Sequence, residues 1–111
     1  MRGITWKRAA CNILEGFVKD PKYNNEPIFS IQGWSVVDLR ESRFSKTFIL
    51  PKYYKGKDKD NSKRIAEDLY NNVNLELHEQ NRQAIIEESR RTAQIMRKAN
   101  TLLKRLQKLN N

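Results

Sequence analysis

From residue 61 to residue 111 the chain contains neither proline nor glycine. Proline removes a helical hydrogen bond and glycine raises the entropic cost of a helix, so their joint absence over nearly half the chain predicts helix throughout. Asp60, Asn61 or Ser62 is the expected N-cap, because each side chain can accept a bond from a free backbone N–H. Unbroken, a run of about 48 residues would extend roughly 70 Å at 1.5 Å per residue, too long to lie across a small domain. Part of it must therefore project or fold back.

The run carries two apolar stripes. Ile65, Ala66, Leu69, Tyr70, Val73 and Leu77 share one helical face, whereas Ile85, Thr92, Ala99 and Leu106 alternate with Ile95, Leu102 and Leu109 in a heptad-like series. Between them "NNVN" and "HEQNRQ" hold weak helix formers. A break within residues 71–82 and a single bent helix are both compatible with that composition.

The first half is of a different kind. Trp6, Ala10, Ile13, Leu14 and Phe17 recur at steps of three and four, which predicts an amphipathic helix over residues 4–19, ended by Asp20 and Pro21. "KYNNEP" reads as a loop, since Pro27 biases the residue before it away from helix. In "IFSIQGWSVVDLRESRFSKTFIL" β-branched and aromatic residues take over and apolar positions tend to alternate. Strands are expected near residues 28–32, 34–40 and 44–50, with a bend at Gly33 and a turn over "RESR". Three strands with one covered face make the smallest stable sheet, and the N-terminal helix is the expected cover. The fold class is thus α+β: an N-terminal helix on a short antiparallel sheet of about three strands, followed by a long or broken amphipathic C-terminal helical segment. Residues 1–60 form the small α+β domain and residues 61–111 its helical extension, within one structural unit.

Charge layout narrows the function. Net charge is +9, which draws the chain toward nucleic acid or an acidic protein surface. The excess is local: residues 51–64 carry six basic and two acidic groups, residues 65–80 none and four, and residues 89–111 seven and none. A helix shaped only for solubility mixes signs, because Glu and Lys four apart stabilise it by ~0.2–0.5 kcal/mol per pair. Arg90, Arg97, Lys98, Lys104 and Arg105 are accordingly candidate phosphate-binding residues, with Arg91 and Lys108 beside them. "PKYYKGKDKDNSK", read as a loop, interleaves Tyr53 and Tyr54 with Lys52, Lys55, Lys57 and Lys59, the combination of rings and cations that single-stranded nucleic acid requires. Trp34, Phe44 and Phe48 are expected in the core. The stripe of Ile95, Ala99, Leu102, Leu106 and Leu109 is expected to pack on a helix, within a homodimer or a helix-mediated complex.

Other chemistries find little support. "DKDNS" begins like a calcium loop, but Lys63 and Leu69 stand where glycine and glutamate are needed, and His78 has no second ligand for zinc. No metal site, cofactor or catalytic constellation is expected, and the chain is read as a non-enzyme. Cys11 is the single cysteine, expected as a small buried residue in a reducing compartment. No apolar stretch reaches the ~20 residues of a membrane span, so a cytoplasmic location is expected ahead of the mitochondrial matrix. The segment "GITWKR" resembles the opening of small DNA-binding sheet modules of some recombinases; the later aromatic and glycine positions of that pattern are missing, and no family is assigned on it. The leading expectation is a basic nucleic-acid-binding protein. The alternatives are a small adaptor or inhibitor, of the kind phages and viruses encode, docking its C-terminal helix on an acidic protein, and a subunit of a larger nucleoprotein assembly.

Overall fold

A computed structural model describes residues 3–47 and 49–109. Five strands, β1 (Thr5–Ala10), β2 (Ile13–Phe17), β3 (Phe29–Gln32), β4 (Ser35–Asp38) and β5 (Lys52–Lys55), form an antiparallel meander in the order β1-β2-β3-β4-β5. A short helix α1 (Arg40–Phe44) separates β4 from β5, and α2 (Lys59–Tyr70) and α3 (Leu75–Leu109) follow. The molecule is α+β overall, but the expected N-terminal helix on about three strands is corrected: residues 4–19 form a β-hairpin, and the sheet has five strands.

The physical reason lies in cross-strand pairing. Asn12 adopts a left-handed backbone (φ 61°) in the turn, and Trp6 then faces Gly16 across the ladder while Leu14 faces Ile31 of β3. Along these strands Trp6, Leu14 and Gly16 line one face with period two, a pattern that the adjacent Ile13 and Leu14 disguise as helical spacing. Gly16 is required there, because a Cβ on it would lie 2.8 Å from the Trp6 ring and 2.9 Å from Ile4. Gly16→Val is therefore expected to cost about 1–3 kcal/mol through overpacking, read as a lower urea midpoint with an unchanged slope. Cys11, expected inside, is exposed in the hairpin turn.

The remaining strand expectations hold in part. β3 and β4 lie close to the expected places, with Gly33 (φ 64°) turning the chain between them. No strand occupies the described part of 44–50: the "RESR" turn is α1, and the next strand forms at residues 52–55, inside the expected loop. Phe48 lies outside the described residues. Asp38 explains α1, because its Oδ1 accepts from the Arg40 backbone N–H (3.1 Å) and starts the helical turn.

The core lies between the sheet and α2. Phe29, Ile31, Val36 and Tyr54 on the strands meet Ile65, Ala66 and Leu69 of α2, with Ile28, Val18 and Tyr23 closing one end. The N-cap of α2 is Asp58, earlier than expected; the Asp58 carboxylate accepts from Asn61 N–H (2.7 Å), and Asn61 Oδ1 accepts from Lys57 N–H (2.9 Å). It ends at a tract in which Asn72 and Asn74 have positive φ (58° and 53°). Of the two alternatives for residues 71–82, the break is the one observed, and asparagine tolerates its left-handed backbone better than most residues.

Candidate functional site

Two side chains of α3, His78 and Asn81, fix its root to the body. His78, 6% exposed, bonds Asp68 of α2 (3.0 Å) and so joins the two helices. Asn81 donates through Nδ2 to the Lys55 carbonyl (2.9 Å) and accepts at Oδ1 from the Lys55 N–H (3.0 Å). The side-chain amide thus substitutes for a neighbouring strand at the open edge of the sheet. Asn81→Ala is expected to cost about 1 kcal/mol and to speed hydrogen exchange at the Lys55 amide.

Glu79 accepts two bonds from Arg82 (2.8 and 3.1 Å) and one from Gln83 (3.0 Å), which hold its carboxyl down to about 2. A depressed carboxylate stabilises above its unfolded pKa, and that contribution is lost as pH falls toward 2. Because Glu79 stands largely in solvent, Glu79→Gln at pH 7 should change stability by less than about 0.5 kcal/mol, measured by thermal melting.

Ile85 and Ile86 are the last half-buried residues of α3, and every residue from 87 to 109 is exposed. At 1.5 Å per residue this segment stands about 34 Å beyond the body. Its apolar side chains have nothing over them: Ile95, Met96, Leu102, Leu103 and Leu106 are each 56–67% exposed and Leu109 81%. Every member of the expected packing stripe, Ala99 included, lies on this free segment.

At about 100° per residue, the stripe has two unlike edges. Arg91, Lys98 and Arg105 line one, seven residues apart; Ser89, Met96 and Leu103 line the other. Arg90, Arg97, Lys104 and Lys108 form a second basic row that turns away from the stripe.

The expected Lys/Tyr loop does not exist as one surface. Residues 52–55 are strand β5, so side chains alternate between faces: Tyr54 is 4% exposed in the core, whereas Tyr53 is half exposed on the opposite face. Burial raises the Tyr54 hydroxyl pKa, with Asp38 and Glu79 adding to the effect. Lys52 Nζ lies 3.4 Å from Glu41, Lys57 precedes the α2 cap, and Lys59 is the first residue of α2. Lys52, Tyr53 and Lys55 nevertheless border one open cleft with Arg90 of α3, whereas Lys57 and Lys59 lie outside it.

Trp34 contradicts its expected core position. It is 59% exposed, because the tight turn at Gly33 puts it at the hairpin tip. Its backbone is nevertheless held: the Trp34 carbonyl accepts from Gly56 N–H (2.9 Å) and lies 2.8 Å from Ser62 Oγ, which shares its single proton with the Asp58 carbonyl. With Lys55, Lys57, Ala84 and Ile85, the ring borders a notch of about 480 Å³ at the foot of α3. Phe44, by contrast, is half-buried edge-on to Tyr23. Gly33 next to Trp34 was the one sequence signal for the exposed ring.

Among the described residues no group of three His, Cys, Asp or Glu side chains could hold a metal ion, and no helix is long and apolar enough to cross a membrane. No family model, curated protein or solved structure matches this chain, so its function is argued from its own geometry.

Proposed function

We propose that the protein is a non-catalytic adaptor that presents its C-terminal helix to the helical, acidic surface of another protein. The observation that carries this reading is the row of exposed large apolar residues on residues 95–109. Leucines at that spacing form a seam only when covered, and this chain's sheet lies too far from them to provide the cover. The basic edge of the stripe suits an acidic partner. Helix-in-groove recognition uses this pattern of anchors.

A photo-reactive amino acid at Leu103, in cells making the protein, tests the reading. The expected product is a protein adduct that disappears when Leu102→Asp and Leu106→Asp are added. Adducts to nucleic acid alone, or a protein adduct indifferent to those changes, would overturn it.

A second reading is favoured by a separate observation, the basic row of Arg90, Arg97, Lys104 and Lys108 facing away from the stripe. Under it, these cations grip the phosphates of a nucleic acid, with affinity falling linearly in log salt. The burial of Tyr54 leaves Tyr53 as the exposed ring of the Lys/Tyr segment for the loop version of that reading.

A further inference from the structure

We infer that the apolar stripe of α3 and the Trp34 notch form one continuous groove, built for an acidic-edged helix of another protein that runs antiparallel to α3 and ends against Trp34. The inference rests on the adaptor reading above and specifies its partner.

Continuity follows from the helix itself. Asn81, Ala84, Ile85 and Glu88 of α3 line the notch. At about 100° per residue, these positions lie on the same face as Thr92, Ile95, Ala99, Leu102, Leu106 and Leu109. A helix laid on the stripe therefore slides down into the notch and meets the exposed indole, whose backbone Gly56 and Ser62 hold in place. A rigidly presented tryptophan at the end of an apolar track is the kind of anchor that dominates helix-docking interfaces. From Ala84, exposed at the notch, to Leu109 the track is about 38 Å long at 1.5 Å per residue, room for a partner helix of some seven turns.

Charge selects the occupant. Arg91, Lys98 and Arg105 run along one edge with no acidic residue of this chain beside them after Glu88. A second copy of α3 cannot answer them. Placed antiparallel, it sets its own basic edge against this one; placed parallel, it sets Met96 and Leu103 against the cations, and neither arrangement forms an ion pair. A partner with carboxylates seven residues apart on the facing edge, and apolar residues on the edge meeting Met96 and Leu103, satisfies both sides.

Orientation follows from the foot of the groove. Lys55 and Lys57 border the notch beside Trp34. Cations favour the negative end of a helix dipole, so the partner's C-terminal turn belongs there. Glu88 is the acidic residue on the track, and a polar or basic partner residue opposite it sets the register.

The test uses the full chain and four synthetic 28-residue helices. Three share a leucine seam and differ in edge residue, Glu, Gln or Lys; the fourth has Glu edges on an alanine seam. The Glu-edged leucine helix is expected to bind at least tenfold more tightly than the Lys-edged one, and Trp34→Ala to weaken it at least tenfold without moving the melting temperature. A nitroxide at its C-terminal end should broaden the Trp34 indole N–H resonance, with Trp6 as the unaffected reference, and one at its N-terminal end should not. Broadening from the N-terminal label alone overturns the inference while the adaptor reading survives; equal affinity for Lys edges overturns the inference and, with it, the acidic partner of the adaptor reading. Equal binding of the alanine-seam helix shows a surface that takes any polyanion and overturns both. Self-association of the protein that the Glu-edged helix cannot compete away names a second copy as the occupant and overturns the inference. If no helix binds and the Leu103 adduct is also missing, the adaptor reading itself falls.

Discussion

Arg40→Ala is expected to destabilise the protein by about 3–5 kcal/mol, the cost of leaving a buried carboxylate without its partner. Asp38 is 7% exposed, and Arg40 holds it through two parallel bonds, Nε to Oδ1 (3.0 Å) and Nη2 to Oδ2 (2.9 Å). Such forked pairs combine charge with fixed geometry, which lysine cannot reproduce. Burial by itself would lower the Arg40 pKa, but the bond and charge of Asp38 outweigh it and leave it raised. The same guanidinium reaches the Leu69 carbonyl at the end of α2 (3.4 Å) and lies 5.1 Å over the Phe29 ring. Removing it loosens the sheet, α1 and α2 together. Thermal melting should fall by well over about 10 °C, since each kcal/mol is worth roughly 4–8 °C in a domain near this size. Arg40→Met with Asp38→Leu should recover much of the loss, because a well-packed apolar pair often replaces a buried ion pair at little cost. A loss below about 1 kcal/mol for Arg40→Ala would mean that water screens Asp38 after all.

Leu102→Asp with Leu106→Asp is expected to leave the body intact and abolish docking. Both side chains are 56–58% exposed and touch nothing in the body, so global stability should change by no more than about 0.5 kcal/mol per site. Affinity for a leucine-seam helix with Glu edges should fall at least about 100-fold, because two carboxylates enter the centre of an apolar seam and face acidic neighbours. The reciprocal change, Arg97→Glu with Lys104→Glu, lies on the row that turns away from the stripe. It should leave helix docking within about threefold, a change of under 1 kcal/mol. If the protein instead grips nucleic acid through this row, the reciprocal pair weakens oligonucleotide binding and reduces the salt slope by about two. Isothermal titration of both double variants with both probes separates the two readings. Docking that survives Leu102→Asp and Leu106→Asp would place the interface elsewhere.

How much of this surface was legible in the sequence differs from one element to another. The stripe on α3 was readable because a heptad series over residues 85–109 is a local, one-helix property, and its exposure required only that the helix be longer than the body. The break near residues 71–74 was readable as one of two alternatives, since "NNVN" weakens a helix without dictating where it ends. The Lys/Tyr segment misled because composition marks a loop in the same way as it marks a short edge strand rich in lysine. Once β5 pairs with β4, alternation buries Tyr54 against Val36 and separates it from Tyr53.

The N-terminal hairpin shows the limit most clearly. Steps of three and four from Trp6 to Phe17 satisfy a helix, and only pairing with β3 makes the period-two alternation the better arrangement. That choice depends on residues more than ten positions away, with Gly16 opposite both Trp6 and Phe29.

By itself, then, the sequence determined a glycine- and proline-free helical region with an apolar seam and a basic edge without acids to match it. Each is a property of neighbouring residues at fixed helical or chemical spacing. Tertiary structure alone decided that the first residues are strands, that Tyr54 is buried while Trp34 is exposed, and that the foot of α3 meets the Trp34 turn. Those outcomes turn on contacts between distant segments, and burial of a side chain is a property of what covers it, which no local pattern records.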